Sequence, residues 1–306
     1  MKIVEIVYRC DGSDTAIRSR PADAQAARDR LDGGSRTMAA LLAGAAEGSG
    51  VARRVVPIDP RDLGLALGEH AAPAQRPYAA VLGCSDARVP IELIFNEGPN
   101  DLFVIRVAGN GLGSEVLGSL RYAVDHLGES LKLIVVLGHS GCGAVSAAVD
   151  VFLKPEAYLA LAAQHNLRGI LDRLLVVVHA AARRLAAVYG PDVAHRHGYR
   201  DALIESAIVA NAALAARTVQ QEIGGSQQGL RAAYGVYLLA QQRVWAPRAG
   251  SADCEGLAHP PADAAAFAEF ADAVVHSMRI ATFVGRGADA QGTVAAIALR
   301  GPGGDA

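Results

Sequence analysis

The residues best suited to chemistry begin in LGCSDARVP, residues 82–90, where Cys84, Asp86 and Arg88 occupy alternate positions. On an extended chain, side chains two positions apart point to the same side, so a thiol, a carboxylate and a guanidinium can project together. A second group follows in LGHSGCGA. There His139 and Cys142 stand three positions apart at a predicted helix start, which makes them neighbours on one face.

Two thiols and one imidazole form a ligand set suited to tetrahedral zinc. Catalytic zinc sites have three protein ligands and leave the fourth position open to water, and Cys84, His139 and Cys142 could supply those three. A helix N-terminus and the metal itself would both favour thiolates. Asp86 and Arg88 could then form a pair in which the guanidinium keeps the carboxylate ionised and oriented toward a metal-bound hydroxide.

Each motif taken alone also has an ordinary explanation. A lone cysteine after an apolar strand is more often a small core residue, and an isolated Asp-x-Arg is more often a surface ion pair. A redox pair of Cys84 and Cys142 without zinc is a further alternative, because four scattered cysteines still permit one bridge. His195 and His197 in HRHGYR are expected to be ordinary loop histidines, since no partner ligand accompanies them.

Three apolar segments would position both motifs, and each ends in glycine and polar residues. They are YAAVLGC (78–84), DLFVIRVAG (101–109) and LKLIVVLGH (131–139), all typical of buried parallel strands. Helix-like segments such as 114–128 separate them, so the sequence predicts an α/β fold with a mainly parallel β-sheet core flanked by helices. Ligands of such sheets gather at the carboxyl ends of strands, where both motifs lie.

Helical composition dominates both flanks of this predicted sheet. Residues 21–47 predict an N-terminal arm of two helices that meet at Gly33 and Gly34. Residues 144–223 predict a long helical segment after the second motif, and residues 231–245 predict a last strand, the arm of a hairpin at the sheet edge.

The domain organisation expected from these patterns is simple. Residues 1–245 would form one α/β domain that includes the N-terminal helices. Residues 246–306 would contain a linker, a helix and a disordered, glycine-rich tail. A 306-residue chain can bury a core without a metal or disulfide for folding.

Composition limits the partners and the compartment. A net charge of −2 and a sequence pI near 6.5 do not indicate a nucleic-acid partner. The most apolar stretch, residues 169–188, contains aspartate, arginine and histidine, which insert poorly into lipid, so no membrane span is expected. Few cysteines and the lack of a signal-peptide core in MKIVEIVYRC favour a cytoplasmic protein.

Taken in order and spacing, the motifs resemble those of the β-class carbonic anhydrases. The resemblance covers roughly residues 75–148 and includes Cys-x-Asp-x-Arg, RVAGN (106–110), YAV (122–124) and GHSGCGA (138–144). It implies one zinc ion per chain bound by Cys84, His139 and Cys142, with Asp86 and Arg88 as the catalytic pair. It also implies a mainly parallel sheet wrapped by helices and an assembly of at least two identical chains.

The resemblance further implies a set of substrate-binding positions. These are Gln75, Phe103, Ala108, Tyr122 and Gly143. One subclass of the family binds regulatory bicarbonate with a tryptophan three residues before the first cysteine. Val81 stands at that position here, so the non-allosteric, plant-like subclass is expected.

The function implied is reversible hydration of carbon dioxide to bicarbonate and a proton by zinc-bound hydroxide. Tyr122, His126 or buffer would carry the proton toward solvent. Two alternatives keep the same zinc ligands: hydrolysis of carbonyl sulfide or carbon disulfide, and a non-catalytic zinc-binding sensor. The intact Asp86 and Arg88 argue against the sensor, because a purely structural zinc does not need them.

Overall fold

The fold is described from a computed structural model, which covers residues 2–10, 19–46, 50–65, 71–156, 158, 165–224, 229–251 and 253–289. The glycine-rich end over residues 300–306, predicted to be disordered, lies outside the described residues.

A five-stranded sheet forms the centre of the fold. Its strands, numbered after an N-terminal pair described below, are β3 (Ala79–Gly83), β4 (Leu102–Arg106), β5 (Leu133–His139), β6 (Arg231–Leu238) and β7 (Arg243–Trp245). Their order is β4-β3-β5-β6-β7, and all neighbours are parallel except β6 and β7. The predicted α/β class with a mainly parallel sheet is confirmed.

The register of the sheet aligns the strand ends that matter for the site. Gly83, the last residue of β3, pairs with Arg106 of β4 and with Leu137 of β5. Every residue of β3 and β5 is buried, as expected for strands covered on both faces. The residues that follow β3, β4 and β5 therefore emerge at one edge of the sheet.

Eight α-helices surround the sheet in the described part of the chain. They are α1 (Ala24–Ala46), α2 (Ile91–Ile94), α3 (Ser114–Leu127), α4 (Gly143–Leu153), α5 (His165–Tyr189), α6 (Tyr199–Glu222), α7 (Ala264–His276) and α8 (Met278–Asp289). Alternate strand residues pack into two hydrophobic cores, one on each face of the sheet. Ala80 and Leu82 face a large core shared with α3 to α8, whereas Ala79 and Val81 face a smaller core with α1 and α2.

Helix α6 is the most deeply buried of these helices. It alone, among the described helices, has the length and apolarity to cross a membrane, but 72% of its apolar window is buried inside the fold. It packs on β5, where Gly138 allows close approach: a Cβ there would lie 3.3 Å from Cγ2 of Ile208. The helix is therefore a core element that lies directly behind the carboxyl end of β5.

The prediction of two helices within residues 21–47 was wrong, because α1 is continuous from Ala24 to Ala46. The glycines serve packing instead of a turn. A Cβ at Gly34 would lie 1.9 Å from the carbonyl oxygen of Phe95, so only glycine lets α1 pass this close to the backbone. A second, two-stranded parallel sheet of β1 (Ile3–Cys10) and β2 (Val51–Ile58) flanks α1 in sequence and was not predicted.

The C-terminal part of the chain differs from the sequence expectation in detail. The segment predicted as one strand over residues 231–245 is a hairpin, in which β6 lies inside the sheet and β7 forms the edge. Ala258 exchanges backbone hydrogen bonds of 2.8 and 2.9 Å with Tyr234 of β6. The predicted helix is two helices, α7 and α8, divided at Ser277, and both contribute to the large core. The domain division at residue 245 stays a prediction.

Candidate metal centre

Cys84, His139 and Cys142 converge at the carboxyl edge of the sheet. Cys84 follows β3, His139 ends β5, and Cys142 precedes α4. All three are buried, and their potential ligand atoms lie within 4.8 Å of one another. The two sulfur atoms are 4.0 Å apart. Tetrahedral zinc with Zn–S bonds of about 2.3 Å places two sulfurs about 3.8 Å apart, so this spacing suits the ion.

The orientation of the His139 ring also suits a metal ligand. Its Nδ1 lies 3.1 Å from the carbonyl oxygen of Ser140. Because a carbonyl oxygen only accepts, Nδ1 is the donor in this contact, and Nε2 is the ring nitrogen that can bind a metal. That Nε2 is buried and has no hydrogen-bond partner among the described residues. A buried, unpaired acceptor beside two thiols is what a zinc ion would satisfy.

Two backbone turns with positive φ shape the site. Gly109, after β4, has φ of 66°, and its N–H donates to Sγ of Cys84 over 3.3 Å. Gly141, between the second and third ligands, has φ of 64°. Side chains other than glycine rarely adopt these values, so both glycines are needed for the turns that present the ligands.

The two thiols are electrostatically coupled. The pKa of Cys84 is lowered by its hydrogen bond with Cys142, with further help from His139 and from the Gly109 N–H. The pKa of Cys142 is raised by the same contact and by burial. Without a cation between them, the pair therefore holds one negative charge most easily, and a bound cation would stabilise the second thiolate.

Asp86 and Arg88 form the pair that their spacing suggested. The Arg88 guanidinium donates 3.0 Å and 2.6 Å hydrogen bonds to the two carboxylate oxygens of Asp86. These bonds, followed by the Arg88 backbone N–H, hold the pKa of Asp86 well below its usual range. Oδ2 of Asp86 lies 3.8 Å from Nε2 of His139, so an ionised carboxylate borders the three ligands.

Two predicted substrate positions adjoin the ligands and three do not. Ala108 precedes Gly109, whose N–H donates to Sγ of Cys84. Gly143 directly follows Cys142. Gln75 precedes β3, whereas Cys84 follows it, so the strand separates them by roughly 16 Å. The role of Gln75 in substrate binding stays a prediction.

Phe103 and Tyr122 also lie away from the ligands of their own chain. Phe103 is the second residue of β4, where it packs against the large core. Tyr122 lies in the second half of α3, a helix that leads away from the carboxyl edge, and its ring contacts that of His126 at 4.5 Å between centroids. His126 and Gln75 line one surface cavity of about 680 Å³.

Three supporting residues were not identified from the sequence. Arg106 donates from Nε to the carbonyl oxygen of Cys84 over 3.0 Å and from Nη2 to that of Asp86. On α6, Glu205 accepts from Gly141 and Asn211 donates to Gly109. A carboxylate and an amide within the apolar segment IESAIVANAALAA were the available signal.

A family model described as carbonic anhydrase matches residues 79–227. Over that segment the chain is similar to the carbonic anhydrases. The match runs from β3 to just beyond the end of α6 and contains all three candidate ligands, Asp86 and Arg88. Helices α7 and α8, the β6–β7 hairpin, α1 and the β1–β2 sheet lie outside the carbonic anhydrase segment.

Carbonic anhydrases of known sequence show the same likeness. Carbonic anhydrase 2 of Mycobacterium tuberculosis is 53% identical over 78 residues, which is 26% of this chain and 37% of that protein. A carbonic anhydrase of Mycolicibacterium smegmatis is 49% identical over 83 residues, 27% of this chain and 39% of that protein. The alignment thus spans little more than a third of the relatives' length.

Solved carbonic anhydrase structures were also matched. A tetrameric β-carbonic anhydrase of Sordaria macrospora gives a TM-score of 0.42 at 24% identity, covering 60% of this chain and 83% of the other. Another β-carbonic anhydrase gives 0.42 at 24% identity, with 56% of this chain and 80% of the other covered. The subclass within the carbonic anhydrase family stays a prediction.

Proposed function

We propose that this protein is a zinc-dependent enzyme that reversibly hydrates carbon dioxide to bicarbonate and a proton. The observation that carries the proposal is the group Cys84, His139 and Cys142, with the unpaired Nε2 of His139 3.8 Å from the carboxylate of Asp86. The carbonic anhydrase segment over residues 79–227 supports the same reaction.

A zinc ion held by these three ligands would supply hydroxide near neutral pH, because it lowers the pKa of a water that it binds. The chain's own contribution is orientation. Asp86 is kept ionised by Arg88, and an ionised carboxylate can only accept hydrogen bonds. Asp86 would therefore accept a hydrogen bond from the attacking oxygen and so orient that oxygen's lone pair toward the substrate carbon.

The surroundings of Asp86 make this orientation firm. Arg106 binds the carbonyl oxygens of both Cys84 and Asp86, and the backbone N–H of Arg88 donates to the Asp86 side chain over 2.9 Å. A carboxylate fixed by several donors loses little freedom when substrate arrives. The small side chain of Ala108 beside Gly109 would leave room for a linear, apolar substrate.

We further propose that the active assembly is a homodimer or a larger homo-oligomer. In one chain Gln75, Phe103 and Tyr122 lie away from the ligands, so their expected role in substrate binding requires a second chain. Sedimentation equilibrium of the purified protein would measure this. A strictly monomeric protein with full activity would refute it.

The decisive experiment is stopped-flow hydration of carbon dioxide from pH 6 to 9, with carbonyl sulfide hydrolysis measured on the same preparation. We expect about one zinc ion per chain and a carbon dioxide rate that rises with pH. The matched variants are Cys84→Ser, which should lose both metal and rate, and Cys254→Ser, which should lose neither because Cys254 lies outside the ligand group.

Three results would change the assignment. A zinc-loaded protein that hydrolyses carbonyl sulfide but does not hydrate carbon dioxide would be a hydrolase of the alternative class. A zinc-loaded protein with neither activity would be a sensor. An active protein without zinc would remove the metal from the proposal altogether.

A further inference from the structure

Glu205 of α6 is a buried carboxylate that contacts the loop between two candidate ligands. The residue as a whole is 5% exposed, and its Oε1 accepts a 2.9 Å hydrogen bond from the backbone N–H of Gly141. Gly141 lies between His139 and Cys142 in the segment HSGC. Since the N–H that Glu205 binds belongs to the residue with φ of 64°, this bond helps fix the turn that separates the two ligands.

The other oxygen of Glu205 is held by the C-terminal helix α8. Arg279 donates to Oε2 from Nε over 2.9 Å, and its Nη2 lies 2.7 Å from the same oxygen. The side chains of both residues are largely buried, at 20% exposure for Arg279 and 7% for Glu205. Burying a carboxylate is costly unless it is paired and hydrogen-bonded, so Arg279 offsets the cost of placing Glu205 here.

Arg279 reaches this position because α8 is packed tightly on the start of α6. A Cβ at Gly198, the residue before α6, would lie 1.9 Å from the carbonyl oxygen of Phe283. The guanidinium of Arg279 also lies 5.8 Å from the ring centre of Phe283. The helix α8 is therefore anchored where its arginine meets Glu205.

We propose that Glu205 and Arg279 are positioning residues for the metal centre. The C-terminal helix, which lies outside the carbonic anhydrase segment, sets the geometry of the loop from His139 to Cys142 through Glu205. The inference rests on the proposed zinc site, and it assigns to residues 278–289 a role in metal affinity. Helix α6 also holds the loop after β4, since Asn211 donates a 2.9 Å hydrogen bond to the carbonyl oxygen of Gly109, whose N–H donates to Cys84.

The test is zinc affinity, measured by competition with a chromogenic chelator on the full chain. Residues that support metal ligands from outside the coordination sphere typically contribute 10- to 100-fold to metal affinity. We expect Arg279→Gln and Glu205→Gln each to raise the zinc dissociation constant by about 10-fold or more. Arg279→Lys keeps the charge without the planar guanidinium and should restore part of the loss.

The matched control is Arg200→Gln, another arginine-to-glutamine change at an ion pair of α6. Arg200 binds Asp150 of α4 at 2.7 and 2.8 Å on the surface, away from both ligand loops. The zinc affinity of Arg200→Gln should equal that of the unaltered protein. The double variant Glu205→Gln with Arg279→Gln leaves no lone buried charge. It therefore allows the inference to be tested if Arg279→Gln alone does not fold.

A second measurement separates positioning from general destabilisation. The protein saturated with Co²⁺ gives ligand-field absorption bands that depend on the arrangement of the ligands. We expect these bands to shift in Glu205→Gln and Arg279→Gln but not in Arg200→Gln. Unchanged bands together with unchanged zinc affinity in the folded double variant would overturn the inference.

This outcome is distinguishable from failure of the proposed function. An unaltered protein that binds no zinc would refute the zinc site and with it this inference. An unaltered protein that binds zinc but does not hydrate carbon dioxide would refute only the reaction. The effect of Arg279 on zinc affinity would then still stand.

Discussion

Arg88 contacts Asp86 through three hydrogen bonds, two from its guanidinium and one from its backbone N–H. A bidentate guanidinium fixes the plane of a carboxylate as well as its charge. Because Asp86 also lies 3.8 Å from Nε2 of His139, this fixed plane faces the candidate metal centre. Arg88 is therefore part of the site although its side chain is 60% exposed.

The Asp86→Asn variant should keep its zinc and lose activity. Asparagine can donate as well as accept, so it no longer forces the attacking oxygen into one orientation. We expect kcat/KM for carbon dioxide to fall by about 10²-fold, the scale typical of lost orientation. Zinc content, measured on the same sample, should remain about one per chain. Arg88→Lys keeps the charge but loses the bidentate contact, so its kcat/KM should lie between those of the unaltered protein and Asp86→Asn. A normal rate in Asp86→Asn would refute the role of the carboxylate.

The ligands and the sheet could be predicted because their signals are local. The strands β3 and β5 are continuous apolar runs, and the polar residues that follow each of them can only lie at the same sheet edge. The strand pattern alone therefore predicts that Cys84 and His139 lie close together. The spacing of Asp86 and Arg88 likewise predicts that their side chains pair.

Other features depend on contacts between distant parts of the chain. VARRVVPI, the sequence of β2, has two arginines and a proline and does not by itself indicate a strand. It forms one because it pairs with β1. Gly34 resembles a helix break because its neighbour in space, Phe95, is 61 positions away. Glu205 gave a signal only as a charge within an apolar helix, and its partner Arg279 is 74 positions away.

Gly109→Ala should destabilise the protein and disturb the first ligand. The residue has φ of 66°, and a Cβ there would lie 3.1 Å from Cδ1 of Leu174. A non-glycine residue held at positive φ costs about 1 to 3 kcal/mol. Urea denaturation should report a loss in that range, and the strained turn should weaken the N–H bond to Cys84, so zinc affinity should also fall.

The control for this change is Gly118→Ala in the middle of α3. Gly118 is exposed, and a Cβ there would meet nothing within 4 Å. Alanine stabilises a helix interior by about 0.5 to 1 kcal/mol relative to glycine, so this variant should gain stability. Equal effects of the two substitutions would contradict the conformational argument for Gly109.

Glu97→Gln should be strongly destabilising because it breaks a buried ion pair. The Glu97 side chain is 0% exposed and pairs with Arg30 of α1, which also lies 3.0 Å from Asp101 and 4.4 Å from the centre of the Tyr78 ring. Removing one partner of a buried pair typically costs about 3 to 5 kcal/mol. We expect a loss of stability near the lower end of this range, since Arg30 keeps its contact with Asp101. Glu5→Gln, at the exposed pair with Arg53, should change stability by less than about 0.5 kcal/mol.

Asp32 should make stability depend on pH between about 4 and 6. Burial raises the pKa of this α1 carboxyl to about 6, against the opposing hydrogen bond from the Leu257 N–H and the charges of Arg28 and Arg36. The folded state therefore binds a proton that the unfolded state has already released in this window. Stability from this group is complete below about pH 4 and is lost as pH rises through about 6.

The Asp32→Asn variant isolates that contribution, because asparagine keeps an oxygen for the Leu257 N–H and does not titrate. The free energy of unfolding, measured in urea from pH 4 to 7, should fall for the unaltered protein relative to Asp32→Asn as pH rises. The difference should become constant above about pH 7. If the difference for Asp32→Asn does not vary with pH, the carboxyl of Asp32 titrates at its ordinary pKa. In that case its contact with Leu257 holds α1 on the C-terminal segment equally well at every pH in the range.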